Sequence, residues 1–389
     1  MFVEGGCLLK IMLSAGEVSG DLHGARLAEE LRAAVPDIEL IGFGGERMEQ
    51  AGVRLIRNFA SYNVMGVWEV IKNLRRIFEL LDMLTESMKK EQPALLVLID
   101  YPDFNWRLAK RAKQLGIPVF SYIPPSAWAW RKGRAKDCAA IADEFVAIFP
   151  FETKVYEEAG ANISFVGNPL VDTVKPELEK DEARGFFGIR REEHAILLLP
   201  GSRKQEIEML LPPMLEAAKI LLKEQPGTKF FLPVADGIHR ELLEEKISRA
   251  GVPVVLADRY RYALMSIADA AMATSGTVVM EAALLDLPCV VLYRMAKFNY
   301  MIGKLLVHVD NFSLPNLLLG RRIQPELLQD EVEPVRIAEE ISKLYKGETE
   351  RETVVEGLRK ASERLGPPGS AKRVAEKILS AARRYASGG

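Results

Sequence analysis

The sequence predicts an α/β protein made of two doubly wound, Rossmann-like domains, and three observations predict it. Short apolar runs recur along the chain between longer amphipathic segments, the pattern of parallel strands covered on both faces by helices. The runs fall into two groups on either side of a polar stretch. At 389 residues there is more chain than one such domain uses.

The first group is LLKIMLSAG, IELIGFGG, ALLVLID, IPVFSYI, EFVAIFPF and ISFVG. Within it, Val67, Ile71, Leu74, Ile77, Phe78, Leu81, Leu84 and Met88 form a helical stripe that reads as a core-facing helix. Residues 168–193, NPLVDTVKPELEKDEARGFFGIRREE, hold two prolines and many charges and read as linker. The second group is HAILLLPGS, KFFLPVA, VPVVLAD, DAAMATSG and PCVVLYR. From about Glu333 the pattern is helical, apart from Gly366-Pro367-Pro368-Gly369. The expected domains are therefore 1–172 and 186–349.

Composition narrows the function. With 48% hydrophobic and 27% charged residues the chain can bury a large core, and a net charge of −2 offers nucleic acid no electrostatic attraction. Cys7, Cys138 and Cys289 are widely spaced and lack C-x-x-C pairing, which argues for a reducing compartment without disulfides or a zinc ribbon. No apolar stretch is long enough to span a bilayer. The start, MFVEGGCLLKIMLSAG, lacks a basic leader region and reads as a first strand, so the expected location is the cytoplasm.

In open parallel sheets, ligands gather where strands turn into helices at their carboxyl ends. Four such turns carry unusual chemistry. In LSAGEVSGDLHG, Gly16, Gly20 and Gly24 permit close approach, but the spacing is not G-x-G-x-x-G. Glu17 and Asp21 suit hydroxyls better than phosphate; Ser19 or Asp21 could equally cap a helix, and His23 follows one turn later. In LLVLIDYPDFN, Asp100 at a strand mouth is either a general base with a raised pKa or an acceptor of turn N–H groups, with Asp103 as helix cap.

In LLLPGSRKQEIEML, Ser202, Arg203 and the helix amides make an anion seat, unless Arg203 simply pairs with Glu206 or Glu208. The P-loop pattern is absent. In ATSGTVVMEAAL, Ser275, Gly276 and Thr277 offer more amides, and Glu281 stands one turn on, where a carboxylate can take ribose hydroxyls; the alternative is a capped core helix with Glu281 in solvent. Together the last two turns spell out a nucleotide diphosphate. No D-x-D occurs and the four histidines are scattered, so neither a metal nor any other cofactor is expected. Val64, Met65, Val67 and Trp68 lie beside Lys72, Arg75 and Arg76, a grouping that suits either a packed helix or an anionic membrane surface.

GEVSGD, VMGVWEV, IDYPDFN, PPSAWAWRKGR, LLPGSR, TSGTVVMEAAL and FSLPNLLLGR, in that order, resemble the lipid-A-disaccharide synthases over essentially the whole chain. The resemblance implies a GT-B type fold, with the two domains facing across a cleft and C-terminal helices, about 350–389, returning to the first. It implies an inverting transferase that joins UDP-2,3-diacylglucosamine to 2,3-diacylglucosamine 1-phosphate, giving the β-1,6-linked lipid A disaccharide 1-phosphate and UDP. Asp100 becomes the base. Arg203 and Glu281 become diphosphate and ribose contacts, and Asn316 another donor contact. Glu17, Ser19, Asp21 and His23 fall on the acceptor side. The family is peripheral on the cytoplasmic face of the bacterial inner membrane, which favours the membrane reading of residues 64–68, with Arg131, Lys132 and Arg134 near phosphate. Some members form dimers that exchange the C-terminal helices. The rival readings are a UDP-N-acetylglucosamine epimerase or peptidoglycan transferase of the same architecture, or a non-catalytic UDP-sugar sensor.

Overall fold

The computed structural model describes residues 9–62, 69–125, 136–137, 139–235, 237–295 and 311–387. The chain divides into two compact units, one of Met1–Pro169 with Pro367–Gly389 and one of Leu170–Gly366.

In the first unit β1 (Lys10–Ala15), β2 (Glu39–Gly44), β3 (Arg54–Asn58), β4 (Leu95–Ile99), β5 (Val119–Tyr122), β6 (Glu144–Ala147) and β7 (Ile163–Phe165) form a parallel sheet in the order β3-β2-β1-β4-β5-β6-β7. Alternate side chains face opposite layers. Ile11, Leu13, Val97 and Ile99 pack with helices Val18–Ala34 and Ser370–Ser387. Met12, Leu96 and Leu98 pack with helices Glu69–Glu91 and Pro102–Gln114. Burial on both faces is why these strands read as unbroken apolar runs.

In the second unit β8 (Ala195–Leu199), β9 (Lys229–Pro233), β10 (Val254–Ala257), β11 (Ala270–Thr274), β12 (Cys289–Tyr293) and β13 (Glu326–Leu328) are again parallel, in the order β10-β9-β8-β11-β12-β13. Helices Arg261–Ile267 and Thr277–Leu284 cover one face. Helices Lys204–Glu224 and Pro334–Lys346 pack on each other and lie outside that core.

Two strands escaped the apolar-run reading. β3 is an edge strand with no fully buried residue, and β13 is three residues long with a buried glutamate at its head. The stretch expected as linker instead holds helices Leu170–Thr173 and Lys180–Phe186, the second burying Ala183 in the core of its unit. Phe78, expected in the core stripe, is 45% exposed with the Arg107 guanidinium over its ring at 5.7 Å. The return to the first unit comes after helix Glu348–Glu363, not at about 350, because that helix packs against helices Thr277–Leu284 and Leu314–Leu319. Gly366 and Gly369 make the crossing in left-handed conformations, φ 79° and 86°. Arg373 then fastens it, donating from Nε to the Val166 carbonyl at 2.7 Å and from its amino groups to those of Pro367 and Pro368.

Ile378, fully buried between helix Ser370–Ser387 and the first sheet, tests that docking. Ile378→Ala is expected to cost about 2–5 kcal/mol. Hydrogen exchange should show the loss in helix Val18–Ala34 and leave the strands of the second unit unchanged.

Candidate active site

Both sheets reverse their strand order at one place, between β1 and β4 and between β8 and β11. Helices leaving the two strands go to opposite faces there, and the opening beyond their carboxyl ends is where such folds bind ligands. In the first unit Ala15 pairs with Ile99, so the turns at 16–21 and 100–105 begin side by side.

Asn105 laces them together. Its Nδ2 donates to the Asp100 carbonyl at 2.6 Å and the Ser14 carbonyl at 3.2 Å, while Ser14 Oγ donates to Asn105 Oδ1 at 2.7 Å. Both side chains are buried. Asp100 and Tyr101 are consecutive left-handed residues, φ 51° and 52°. That geometry costs about 1–2 kcal/mol per non-glycine residue. It lays the Tyr101 ring over Gly16, where a methyl group would collide with it. Burial raises the Asp100 carboxyl above the ordinary aspartate range, against a lowering hydrogen bond from the Tyr101 backbone. Burial likewise raises the Tyr101 phenol, followed by the charges of Glu17 and Asp103, so this mouth has an acidic rim.

The acceptor-side loop divides in two. Glu17 and Ser19 are exposed at the start of helix Val18–Ala34. Asp21, expected beside them, is 4% exposed and accepts from the N–H groups of Gly45, Arg47 and Met48 at 2.7, 3.1 and 3.1 Å. It caps helix Glu46–Gln50, and both oxygens are spent on that task. His23 lies under the loop, edge-on to Tyr122 at 6.3 Å, with Nδ1 buried and without a hydrogen-bond partner.

In the second unit the two anion-ready turns differ. Glu206 closes the first: its Oε2 accepts from the N–H groups of Ser202 and Arg203, both at 3.2 Å, and its Oε1 meets Arg203 Nη1 at 3.4 Å. The Arg203–Glu206 pairing is thus the arrangement present, with the Arg203 side chain 80% exposed. Gly201, φ 113°, is required because a side chain there would strike the Glu206 carboxylate. Tyr293, at the end of β12, has its phenol raised first by burial and then by Glu206.

At the second turn, Ser275 Oγ donates to the Phe312 carbonyl at 3.2 Å. Gly276 precedes helix Thr277–Leu284 with open space where a side chain would be, and the first-turn amides have no acceptor within the helix. Glu281, expected to face ribose or solvent, is 12% exposed at its side chain. Its Oε1 accepts from Tyr262 Oη at 3.3 Å and Arg261 Nη2 at 3.4 Å, and burial raises its carboxyl.

Asn316, expected as a donor contact, is bound within the protein. It is fully buried, its Nδ2 donates to Gln324 O and Glu326 Oε1, and its Oδ1 accepts from the N–H groups of Ile323 and Gln324. Those four bonds exhaust the amide, leaving nothing for a donor sugar. Glu326 in turn accepts from the Phe312 and Ser313 N–H groups, so the pair shapes the loop beside Ser275. Val64, Met65, Val67, Trp68, Arg131, Lys132 and Arg134 lie outside the described residues. Among the described residues no three His, Cys, Asp or Glu side chains cluster as a metal site.

Reading single turns missed the residues that act between them. Asn105, Tyr101, Tyr262 and Glu326 carry no unusual local pattern, and folding brings each to a partner ten or more residues away.

Solved structures share this architecture across the chain. A UDP-GlcNAc 2-epimerase from Neisseria meningitidis bound to UDP-GlcNAc superposes with a TM-score of 0.66 at 14% identity, covering 95% of this chain and all of that one. A glycosyltransferase from Rickettsia africae superposes with a TM-score of 0.61 at 13% identity, covering 98% of this chain and 100% of that one. At such identities the likeness speaks for the fold, which is of GT-B type: two doubly wound units, each with one strand-order reversal.

Sequence comparison is more specific. Residues 11–378 match the family model described as lipid-A-disaccharide synthetase. The lipid-A-disaccharide synthases of Myxococcus xanthus and Syntrophus aciditrophicus are each 41% identical over 370 residues, covering 95% of this chain and 97% of theirs. The chain belongs to the lipid-A-disaccharide synthase family.

Burial and, secondarily, Arg26 hold the His23 imidazole down from 6.5 to about 4. Between those values the unfolded chain binds a proton that the folded chain refuses, so stability falls as pH drops from about 6.5 to about 4. Replacement by a neutral side chain, His23→Leu, is expected to flatten that slope in urea titrations across the window.

Proposed function

We propose that the first unit activates the acceptor sugar and the second holds the UDP-sugar donor in a single inverting displacement. The family's activity supplies the reaction: a diacylglucosamine passes from UDP to the 6-hydroxyl of diacylglucosamine 1-phosphate. The observation that carries the division of labour is the half-buried Asp100 carboxyl at the first unit's strand-order reversal, held in a strained turn by Asn105. Strain of this kind persists where surrounding structure enforces it, and it concentrates at working sites.

Asp100 takes the proton of the attacking hydroxyl as its oxygen bonds to the anomeric carbon. The bond from that carbon to the diphosphate breaks on the opposite face, and UDP carries the electron pair away. The negative charge that develops on the diphosphate is stabilised by the Arg203 guanidinium and the amides at Gly276 and Thr277. The amides of Ser202 and Arg203, already engaged by Glu206, contribute only if that carboxylate swings aside. Glu281 takes the ribose, and Glu17 with Ser19 faces the acceptor. Asp21, His23 and Asn316 hold these elements in shape.

Substrates with acyl chains call for a membrane surface, and no helix of the described residues is long and apolar enough to cross one. Exposed Phe78, beside exposed Arg75 and Arg76, supports a peripheral mode continuing from residues 64–68 on the cytoplasmic face of the inner membrane. A homodimer exchanging the helix beyond Gly369 is compatible with the glycine crossing.

Asp100→Asn is expected to lower kcat by about 10²–10⁴-fold while UDP affinity is kept, as for loss of a general base. The acid limb of the wild-type pH–rate profile should lie above the ordinary aspartate range, since turnover falls as the base is protonated, and should vanish in the variant. Arg203→Ala should weaken UDP binding by about tenfold or more, as for loss of a charged hydrogen bond. Mass spectrometry of the product from acylated and deacylated sugars checks the substrate class: equal use of deacylated sugars would contradict it.

A further inference from the structure

The turn that follows β10 is held more firmly than a connecting loop requires. Tyr260 sits in the left-handed region at φ 57° and ψ 43°, a conformation that costs a bulky side chain strain. Phe186 meets its ring edge-on at 4.9 Å. Glu177 Oε2 accepts from the Ala263 N–H at 2.8 Å, capping helix Arg261–Ile267 from outside the turn. Two separate segments therefore fix the backbone on either side of Arg261 and Tyr262.

Those two residues point at Glu281. Arg261 lies over the Tyr262 ring at 4.6 Å, and its Nη2 donates to Tyr262 Oη at 2.7 Å. Tyr262 Oη in turn donates to Glu281 Oε1 at 3.3 Å, and Arg261 Nη2 reaches the same oxygen at 3.4 Å. Both bonds fall on Oε1. Among the described residues Oε2 has no hydrogen-bond partner, so the carboxylate is anchored by one oxygen and presents the other. A carboxylate on a helix face without such an anchor could turn about its last torsion, which is broad for glutamate.

We infer that Tyr262, assisted by Arg261, is a positioning residue that fixes the Glu281 carboxylate so that its second oxygen accepts from a ribose hydroxyl, and that the pair thereby makes the donor unit select ribonucleoside over 2′-deoxyribonucleoside diphosphates. This rests on the donor reading of Glu281. The selectivity follows from the chemistry: a preorganised, half-buried acceptor is satisfied by a hydroxyl and left unpaired by its absence. Raised carboxyl and phenol values at Glu281 and Tyr262, both caused first by burial, agree with a desolvated pair.

The test uses the full chain with UDP and 2′-deoxyuridine diphosphate as probes, measured by calorimetry. The wild type is expected to prefer UDP on the order of tenfold, the worth of a hydrogen bond to a charged group. Tyr262→Phe removes one oxygen and keeps the ring under Arg261. It is expected to weaken UDP by about threefold, a neutral bond's worth, leave the deoxy analogue unchanged and keep the melting temperature. Equal weakening of both nucleotides, or of neither, overturns the assignment of Tyr262. Glu281→Ala is expected to erase the preference; if it instead keeps the full preference, the donor reading of Glu281 falls together with the inference. Thus Tyr262→Phe failing while Glu281→Ala succeeds separates the two.

Discussion

Neighbouring parallel strands whose crossovers leave in opposite directions cannot cover the space beyond their own carboxyl ends. The chain makes this reversal between β1 and β4 and repeats it between β8 and β11. Everything chemical in the molecule depends on it. In the first sheet Ile99 and Ala15 stand in register, and the next residues along each strand are Asp100 and Gly16. In the second, Leu199 and Ala273 are in register, and the turns beyond them lead to Arg203 and Gly276. Buried aliphatic layers on both faces make the register unforgiving, because a slip of one residue would send every core side chain to the wrong layer.

On that frame, two kinds of polar residue do different work. Asn105, Asp21, Asn316 and Glu326 are buried and hydrogen-bonded mostly to backbone groups, so each ties one stretch of chain to another. Asp100 and Glu281 are only partly satisfied, and burial biases both toward the neutral acid. A carboxyl in that state gains from a ligand hydroxyl what a solvated one would not. Glu206 stands between the two kinds. It fills an anion seat with the protein's own charge, and Arg203 extends past it into solvent.

The two-sheet fold was legible because strands buried on both faces leave continuous apolar runs, and those runs marked eleven strands in order. β3 and β13 were not, since an edge strand with no fully buried residue and a three-residue strand beginning with glutamate carry no such run. Turn chemistry singled out Asp100, Arg203, Gly276 and Glu281 and offered Glu206 as a partner of Arg203, but it did not give the partners of Asp100 and Glu281. Asp21 shows why: a loop carboxylate suits a sugar hydroxyl or a helix N-terminus equally, and Gly45, Arg47 and Met48 decide the matter from more than twenty residues away. Asn316 is a like case, since its motif marks the residue without showing that its amide is bound by Glu326 and the Ile323 N–H.

The proposed donor site holds UDP on Arg203 and the Gly276–Thr277 turn, with its ribose on Glu281 Oε2. A crystal structure of the protein with UDP bound measures this directly. Diphosphate oxygens are expected within hydrogen-bond distance of the Arg203 guanidinium and the first amides of helix Thr277–Leu284, and a ribose hydroxyl on Glu281 Oε2. Nucleotide density lodged away from that strand-order reversal, with Glu281 untouched, would contradict it.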